Sequence, residues 1–305
     1  MDRAYIDTVR LMLRTCPDVF AGDLFALKGG TAINLFVREM PRLSVDLDLV
    51  YVKHATPRKA ALEEITATLQ TIAIRLEKAG FSARWVGNKE MGDTKLLIDD
   101  GSSMVKIEVN TVLRGTIHPV ETLSLVPSAA DLFLAELRVP ALSLPELYGG
   151  KLVAALDRQH PRDLFDVHFL FENEGITDAM VECFVIYLCA HNRPPHEILD
   201  SRDNEQSWVY QEQFAGMTNI QVSLEQPLAT RSRLRSELRE RFTRNQRLFL
   251  LSLVRAEPDW SLLSCAHASE LPGIQWKLAH LRKFRDQQPA AFAEQSRKME
   301  ALLRA

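Results

Sequence analysis

Residues 28–50 read KGGTAINLFVREMPRLSVDLDLV, and the placing of two glycines and two aspartates in this stretch decides the fold. Phe25 to Lys28 predicts a short strand, which Gly29, Gly30 and Thr31 turn into a helix running to about Arg38 and ended by Pro41. Ser44 to Val52 then alternates as a strand. Residues two apart on a strand share a face, so Ser44, Asp46 and Asp48 lie on one side and Val45, Leu47 and Leu49 on the other. A lone Asp-x-Asp is most often a solvated strand face. A second strand of the same design changes the balance. In VKIEVN, Lys106, Glu108 and Asn110 face one way and Val105, Ile107 and Val109 the other. Side by side, the two strands gather Asp46, Asp48 and Glu108, whose mutual repulsion a divalent cation would relieve. Hard carboxylate oxygens suit Mg²⁺ (or Mn²⁺), which keeps positions open for phosphates.

The glycines fit the same chemistry. Gly-Gly-Thr at a strand-to-helix turn lets backbone N–H groups approach an anion, and a helix N-terminus favours negative charge. Alone this is an ordinary turn. Ahead of an Asp-x-Asp strand, it is the layout of a polymerase-β-type nucleotidyltransferase, with phosphates at the turn and metal on the strand.

The rest of the chain frames this unit. It has 305 residues, 25% charged and 46% hydrophobic, with a net charge of −3 that gives no global attraction to nucleic acid. Cys16, Cys183, Cys189 and Cys265 show no CxxC pairing and read as reduced thiols of a cytoplasmic protein. No signal-peptide pattern opens the chain, and no apolar run is long enough to span a membrane. Helices are expected over 3–15 and from Pro57 to about Ala79, then strands over 81–87, 94–100 and 103–110 and another within 132–139. Ser143-Leu-Pro-Glu146 has the form of a capping box that opens a helix carrying Lys151 to about Asp157. Helices follow from Pro161 and over 177–190, and everything beyond 196 reads as helical. The expected architecture is α/β: a catalytic domain with a mixed sheet over residues 1–195, followed by a helical C-terminal region over 196–305.

KGGTAINLF with RLSVDLDL resembles the opening motif of the AbiEii/AbiGii (MenT-like) toxin family, a nucleotidyltransferase branch. KLVAALDRQHPRDLFDV, residues 151–167, is similar to that family's second region. The likeness covers roughly residues 20–175, and Leu43 stands where the family commonly has an aromatic residue. The resemblance implies that Lys28, Gly29, Gly30 and Thr31 cradle a triphosphate, with Ser44 beside them. It implies that Asp46 and Asp48 hold magnesium, that Lys151 contacts the phosphates, and that Asp163 or Asp166 completes the site. Glu108 as a third metal ligand is an expectation from the polymerase-β layout. Lys151 and Arg158 are seven apart on one expected helix face, which suits a double cationic contact. The bland alternatives are a solvated Lys151, an Asp163 that merely suits the helix dipole, and an Arg162–Asp166 surface pair.

RSRLRSELRERFTRNQR, residues 231–247, carries seven arginines. Arg235, Arg239 and Arg241 are candidates for an RNA backbone, against an equal expectation of a helix paired within the protein. The family resemblance implies an RNA acceptor, specifically the 3′ end of tRNA, arrest of translation, an NTP co-substrate and a cognate antitoxin. Rival expectations are a nucleotidyltransferase acting on a small molecule or protein, and a non-catalytic NTP-binding regulator.

Overall fold

The structure, a computed structural model, describes residues 1–86, 94–205, 207–223 and 225–304. The chain divides into two compact units, Met1–Ser143 with Phe214–Gln221, and Leu144–Gln213 with Val222–Ala305.

The first unit opens with α1 (Arg3–Val19), which buries Val9, Leu11, Met12, Cys16 and Val19 along one side. Next come β1 (Phe25–Lys28) and α2 (Gly29–Ala32), the latter continued by a π-helical turn over Ile33–Val37. The order then runs β2 (Asp46–Tyr51), α3 (Arg58–Lys78), β3 (Ser82–Val86), β4 (Thr94–Asp99), β5 (Met104–Asn110), β6 (Glu121–Ser124), α4 (Pro127–Phe133) and β7 (Arg138–Ala141). Among the described residues the strands form one mixed sheet in the order β3-β4-β5-β2-β1-β7-β6. β1 is antiparallel to β2, and β2 is parallel to β5 in the register Asp46↔Lys106 and Asp48↔Glu108. Alternation explains the pairing. Leu47, Leu49, Val105, Ile107 and Val109 are buried in the core, while the charged residues between them lie on the opposite, half-buried face.

Three expectations shift in this unit. Ser44 lies ahead of β2, not in it. The strand expected within 132–139 begins only at Arg138, because residues up to Phe133 close α4 and Leu134 turns left-handed at φ 49°. The strand expected over 81–87 spans Ser82–Val86, with residue 87 outside the described residues. β6 was not expected; its sequence ETLS has no apolar alternation and is held by pairing with β7.

The second unit is helical: α5 (Leu144–Asp157), α6 (Pro161–Glu172), α7 (Asp178–Ala190), α8 (Pro195–Leu199), α9 (Ser207–Gln213), α10 (Glu225–Arg241), α11 (Arg244–Val254), α12 (Pro272–Gln287) and α13 (Pro289–Arg304). Its compact core groups α5–α7 with the later helices, so the packing divides at residue 143 where the sequence suggested 195. The apolar run of α7 is the cause: it packs against α5, α11 and α12 at once. The capping box does not form. Ser143 Oγ has no hydrogen-bond partner, and Glu146 accepts from Tyr187 Oη of α7 at 2.9 Å.

α5 and α7 touch backbone to backbone at Gly149, where a Cβ would sit 2.5 Å from Cys183 Cβ and 2.9 Å from the backbone of Phe184. At Gly150 a Cβ would meet only the Tyr187 ring, at 3.8 Å. Gly149→Ala is therefore expected to lower stability by about 1–3 kcal/mol through overpacking. Gly150→Ala should raise it by about 0.5–1 kcal/mol through helix propensity. Thermal unfolding of both variants checks this, and shifts of the same sign contradict the crossing geometry.

Candidate active site

The turn from β1 into α2 is pressed against β2. Gly29 has φ +76°, which favours glycine, and a Cβ there would lie 2.8 Å from Asp48 Oδ2, so a side chain would turn the carboxylate aside. At Gly30 a Cβ would sit 2.7 Å from Arg42 Nη2 and 3.0 Å from Ser44 Oγ. The buried Thr31 hydroxyl donates to the Asp46 carbonyl at 2.5 Å and lies 3.0 Å from Ser44 Oγ. Thr31 and Ser44, expected to face a triphosphate, thus spend their side chains joining the turn to β2, and only the backbone of Thr31 is left for a phosphate. Lys28 is the cross-strand neighbour of Asp48, on the same face. Arg42, which the sequence reading passed over, is buried with Nη1 donating to the Leu43 carbonyl at 2.9 Å.

Asp46, Asp48 and Glu108 share one face of the sheet, as expected, but ammonium groups stand among them. Lys106 Nζ lies 3.0 Å from Glu108 Oε2 and 3.9 Å from Asp46 Oδ1, and Lys95 Nζ lies 3.2 Å from Glu108 Oε1. Burial works against ionisation of Glu108, yet its hydrogen bonds and attraction to Lys106 and Lys95 prevail and hold it below the usual glutamate range. Among the described residues no ion pair involves Asp48, and no group of three or more His, Cys, Asp or Glu is arranged to hold a metal ion. Asp46 and Asp48 give two hard oxygen donors on one face, beside a turn stripped of side chains, which fits a Mg²⁺-type cation. Glu108 differs from expectation: both its oxygens are taken by lysines. Lys106 and Lys95 are the cations that the sequence reading missed. Lys106 was legible only as a neighbour on the Glu108 face, and its partner could not be read without the strand register.

The second cluster lies wholly in the helical unit. His160 caps α6, its Nδ1 accepting from the Arg162 N–H at 3.1 Å, and Pro161 follows at the first helical position. That places Asp163 in the first turn and Asp166 one turn on. Lys151 Nζ, on α5, lies 2.8 Å from Asp163 Oδ1 and 2.8 Å from Asp166 Oδ2. Arg158, just past α5, grips Asp163 with Nε at 2.5 Å and Nη2 at 2.9 Å. The lysine and both aspartates are at most 5% exposed at their side chains, whereas Arg158 is 62% exposed. Burial would raise the Asp163 pKa, but Lys151 and Arg158 overcome it and push it far below the usual carboxylate range. The solvated-lysine alternative for Lys151 is excluded. Lys151 and Arg158 do converge, though on Asp163.

The arginine helix is paired within its own unit. Arg235 binds Asp203 at 2.5 Å, Arg239 binds Asp200 at 2.8 Å, and Arg241 binds Glu237 at 3.0 Å. Arg231 is buried against Gln159 and Asp203, and Arg233 lies 4.0 Å over the Phe171 ring. Each of the three RNA candidates therefore has an acidic partner within its own unit.

The chain that carries this Gly-Gly-Thr turn and Asp-x-Asp strand is a nucleotidyltransferase. More narrowly, it belongs to the AbiEii nucleotidyl transferase toxin family of type IV toxin–antitoxin systems, whose profile matches residues 10–280. Membership carries an NTP substrate and an antitoxin partner. MenT4, a nucleotidyltransferase toxin from Mycobacterium tuberculosis, has a similar structure, with a TM-score of 0.56 and 16% identity over 92% of this chain and 99% of that one. At that identity the likeness is one of fold. No curated protein matches the chain by sequence. No described helix is long and apolar enough to cross a membrane.

Lys151→Met would take the shared ammonium from two buried carboxylates and leave Asp163 to Arg158, so a loss of about 3–5 kcal/mol is expected near neutral pH. The Asp163 pKa is lower folded than unfolded, so its contribution is complete above about pH 4 and is lost as pH falls below that. Denaturant titrations should show the gap between variant and wild type narrowing below about pH 4. A gap unchanged from pH 7 to pH 3 contradicts the ion-pair account.

Proposed function

We propose that the chain transfers a nucleotide from an NTP to an RNA, with the 3′ end of a tRNA as the acceptor, and thereby blocks translation in the cytoplasm. The observation that carries the reading is the contact of Gly29 with Asp48. A turn kept free of side chains at Gly29 and Gly30 sits directly beside a half-buried carboxylate, which suits a phosphate and its metal. In this reading Asp46 and Asp48 hold Mg²⁺, and the backbone of Gly29, Gly30 and Thr31 receives the triphosphate, with Lys28 adding charge on the same face. The ion would neutralise phosphate charge and favour the ionised form of the attacking hydroxyl. The acceptor hydroxyl attacks the α-phosphorus in line, the bond to pyrophosphate breaks, and the hydroxyl proton is lost. Lys151, held by Asp163 and Asp166, is the second group assigned to the transfer. Arg158 orients Asp163 and is secondary to it.

The pairing of Arg235, Arg239 and Arg241 with carboxylates of their own unit favours one alternative for the acceptor. If those arginines serve the fold alone, RNA recognition lies elsewhere, or the acceptor is a small molecule or a protein. Labelled NTPs incubated with bulk RNA and with total protein separate these outcomes on one gel. The expected result is a labelled RNA band of tRNA size, absent with Asp46→Ala although that variant stays folded. With the label at the α-phosphate, label on protein, or on no macromolecule, overturns the RNA reading. An Asp46→Ala chain of near-normal activity at saturating Mg²⁺ overturns the site.

A further inference from the structure

The charged face of the sheet is already balanced by lysines. Laterally paired strand residues share a face about 4.8 Å apart. The register therefore sets Lys28 beside Asp48, Asp48 beside Glu108, Glu108 beside Lys95, and Asp46 beside Lys106. Asp48 and Glu108 are like charges on adjacent strands, the one unfavourable pairing of this row. Glu108 resolves it by turning both oxygens to lysines, Oε2 to Lys106 at 3.0 Å and Oε1 to Lys95 at 3.2 Å. Lys106 in turn reaches Asp46 at 3.9 Å. A cation coordinated by Asp46 and Glu108 together would have to occupy the place where that ammonium now stands.

We infer that Lys106 is a resident cation standing where a second divalent ion would bind, so that this face takes up one divalent ion, on Asp46 and Asp48. Glu108 is then a positioning residue that anchors Lys106, with Lys95 behind it, and is not a metal ligand. The inference rests on the assignment of Asp46 and Asp48 as metal ligands, and it makes the electrostatic work of a second ion the task of a fixed side chain. Position then explains the exclusion: the ammonium lies 3.0 Å from Glu108 Oε2 but 3.9 Å from Asp46, so an ion on Glu108 would have to displace it, whereas an ion on the Asp48 side of Asp46 would not.

Mn²⁺ titration of the whole chain with a non-hydrolysable NTP analogue, followed by electron paramagnetic resonance and calorimetry, tests this without any turnover. Wild type is expected to bind one Mn²⁺ per chain. Lys106→Met should bind two, because the ammonium between Asp46 and Glu108 Oε2 is removed while Lys95 stays on Oε1, and Lys106→Arg should keep the count at one. Glu108→Gln should keep one ion with affinity within about threefold of wild type, whereas Asp48→Asn should weaken it at least tenfold. Two ions on wild type, a Lys106→Met chain that stays at one, or a Glu108→Gln loss as large as that of Asp48→Asn each overturns the inference. Asp48→Asn binding Mn²⁺ as wild type does is a different failure, since it removes the Asp46–Asp48 assignment and the inference with it. Circular dichroism on each variant confirms that the count is taken on folded chain.

Discussion

The contact between the Gly29 turn and Asp48 is the constraint on which the first unit is built. A side chain at residue 29 would occupy the space of the carboxylate, and a non-glycine residue would resist φ +76°. The clamp beside it works in the same direction. Thr31 binds the carbonyl of Asp46 and sits against Ser44, so the start of α2 and the entrance of β2 move as one piece. Strand register then sets the rest of the face, because β2 cannot slip against β5 by one residue without putting Asp46 and Asp48 into the core. A single close approach thus fixes where the chemistry-bearing carboxylates stand.

The helical unit uses a different device to hold its functional groups. Lys151 is surrounded by Asp163 and Asp166, and Arg158 closes the outer side of Asp163. Buried ion pairs of this kind contribute little net stability compared with well-packed apolar residues, since desolvation offsets their attraction. Their effect is to define position. An ammonium with two carboxylates at 2.8 Å has few alternative rotamers, and His160 and Pro161 set the helix start that presents both aspartates. Energy is given up so that the lysine stays in one place.

Much of the fold was legible in the sequence because its signals are local. Alternation marked β2 and β5, Gly29-Gly30 marked the turn, and proline marked the starts of α6 and the helix from residue 144. What was not legible depends on partners far along the chain. β6 exists only by pairing with β7. Glu146 abandons the capping box for Tyr187, forty-one residues away. The division at residue 143 follows from α7 packing on three helices. The site shows the same split. Asp46, Asp48 and Glu108 were found as residues, with Lys106 on the Glu108 face, but Lys95 on Glu108 required the register of β4 on β5. Arg235 and Arg239 looked like part of a basic patch because Asp203 and Asp200 lie more than thirty residues earlier in the chain, whereas Arg241 pairs with Glu237 of its own helix.

The central claim is that the half-buried carboxylate face beside the Gly29 turn is where nucleotide and metal bind. Crystals of the chain grown with a non-hydrolysable NTP and Mn²⁺ test it most directly, through the anomalous signal of the metal. The expected map places Mn²⁺ within coordination distance of both Asp46 and Asp48, with the triphosphate against the backbone of residues 29–31. Mn²⁺ and triphosphate bound together elsewhere, with Asp46 and Asp48 untouched, would contradict it.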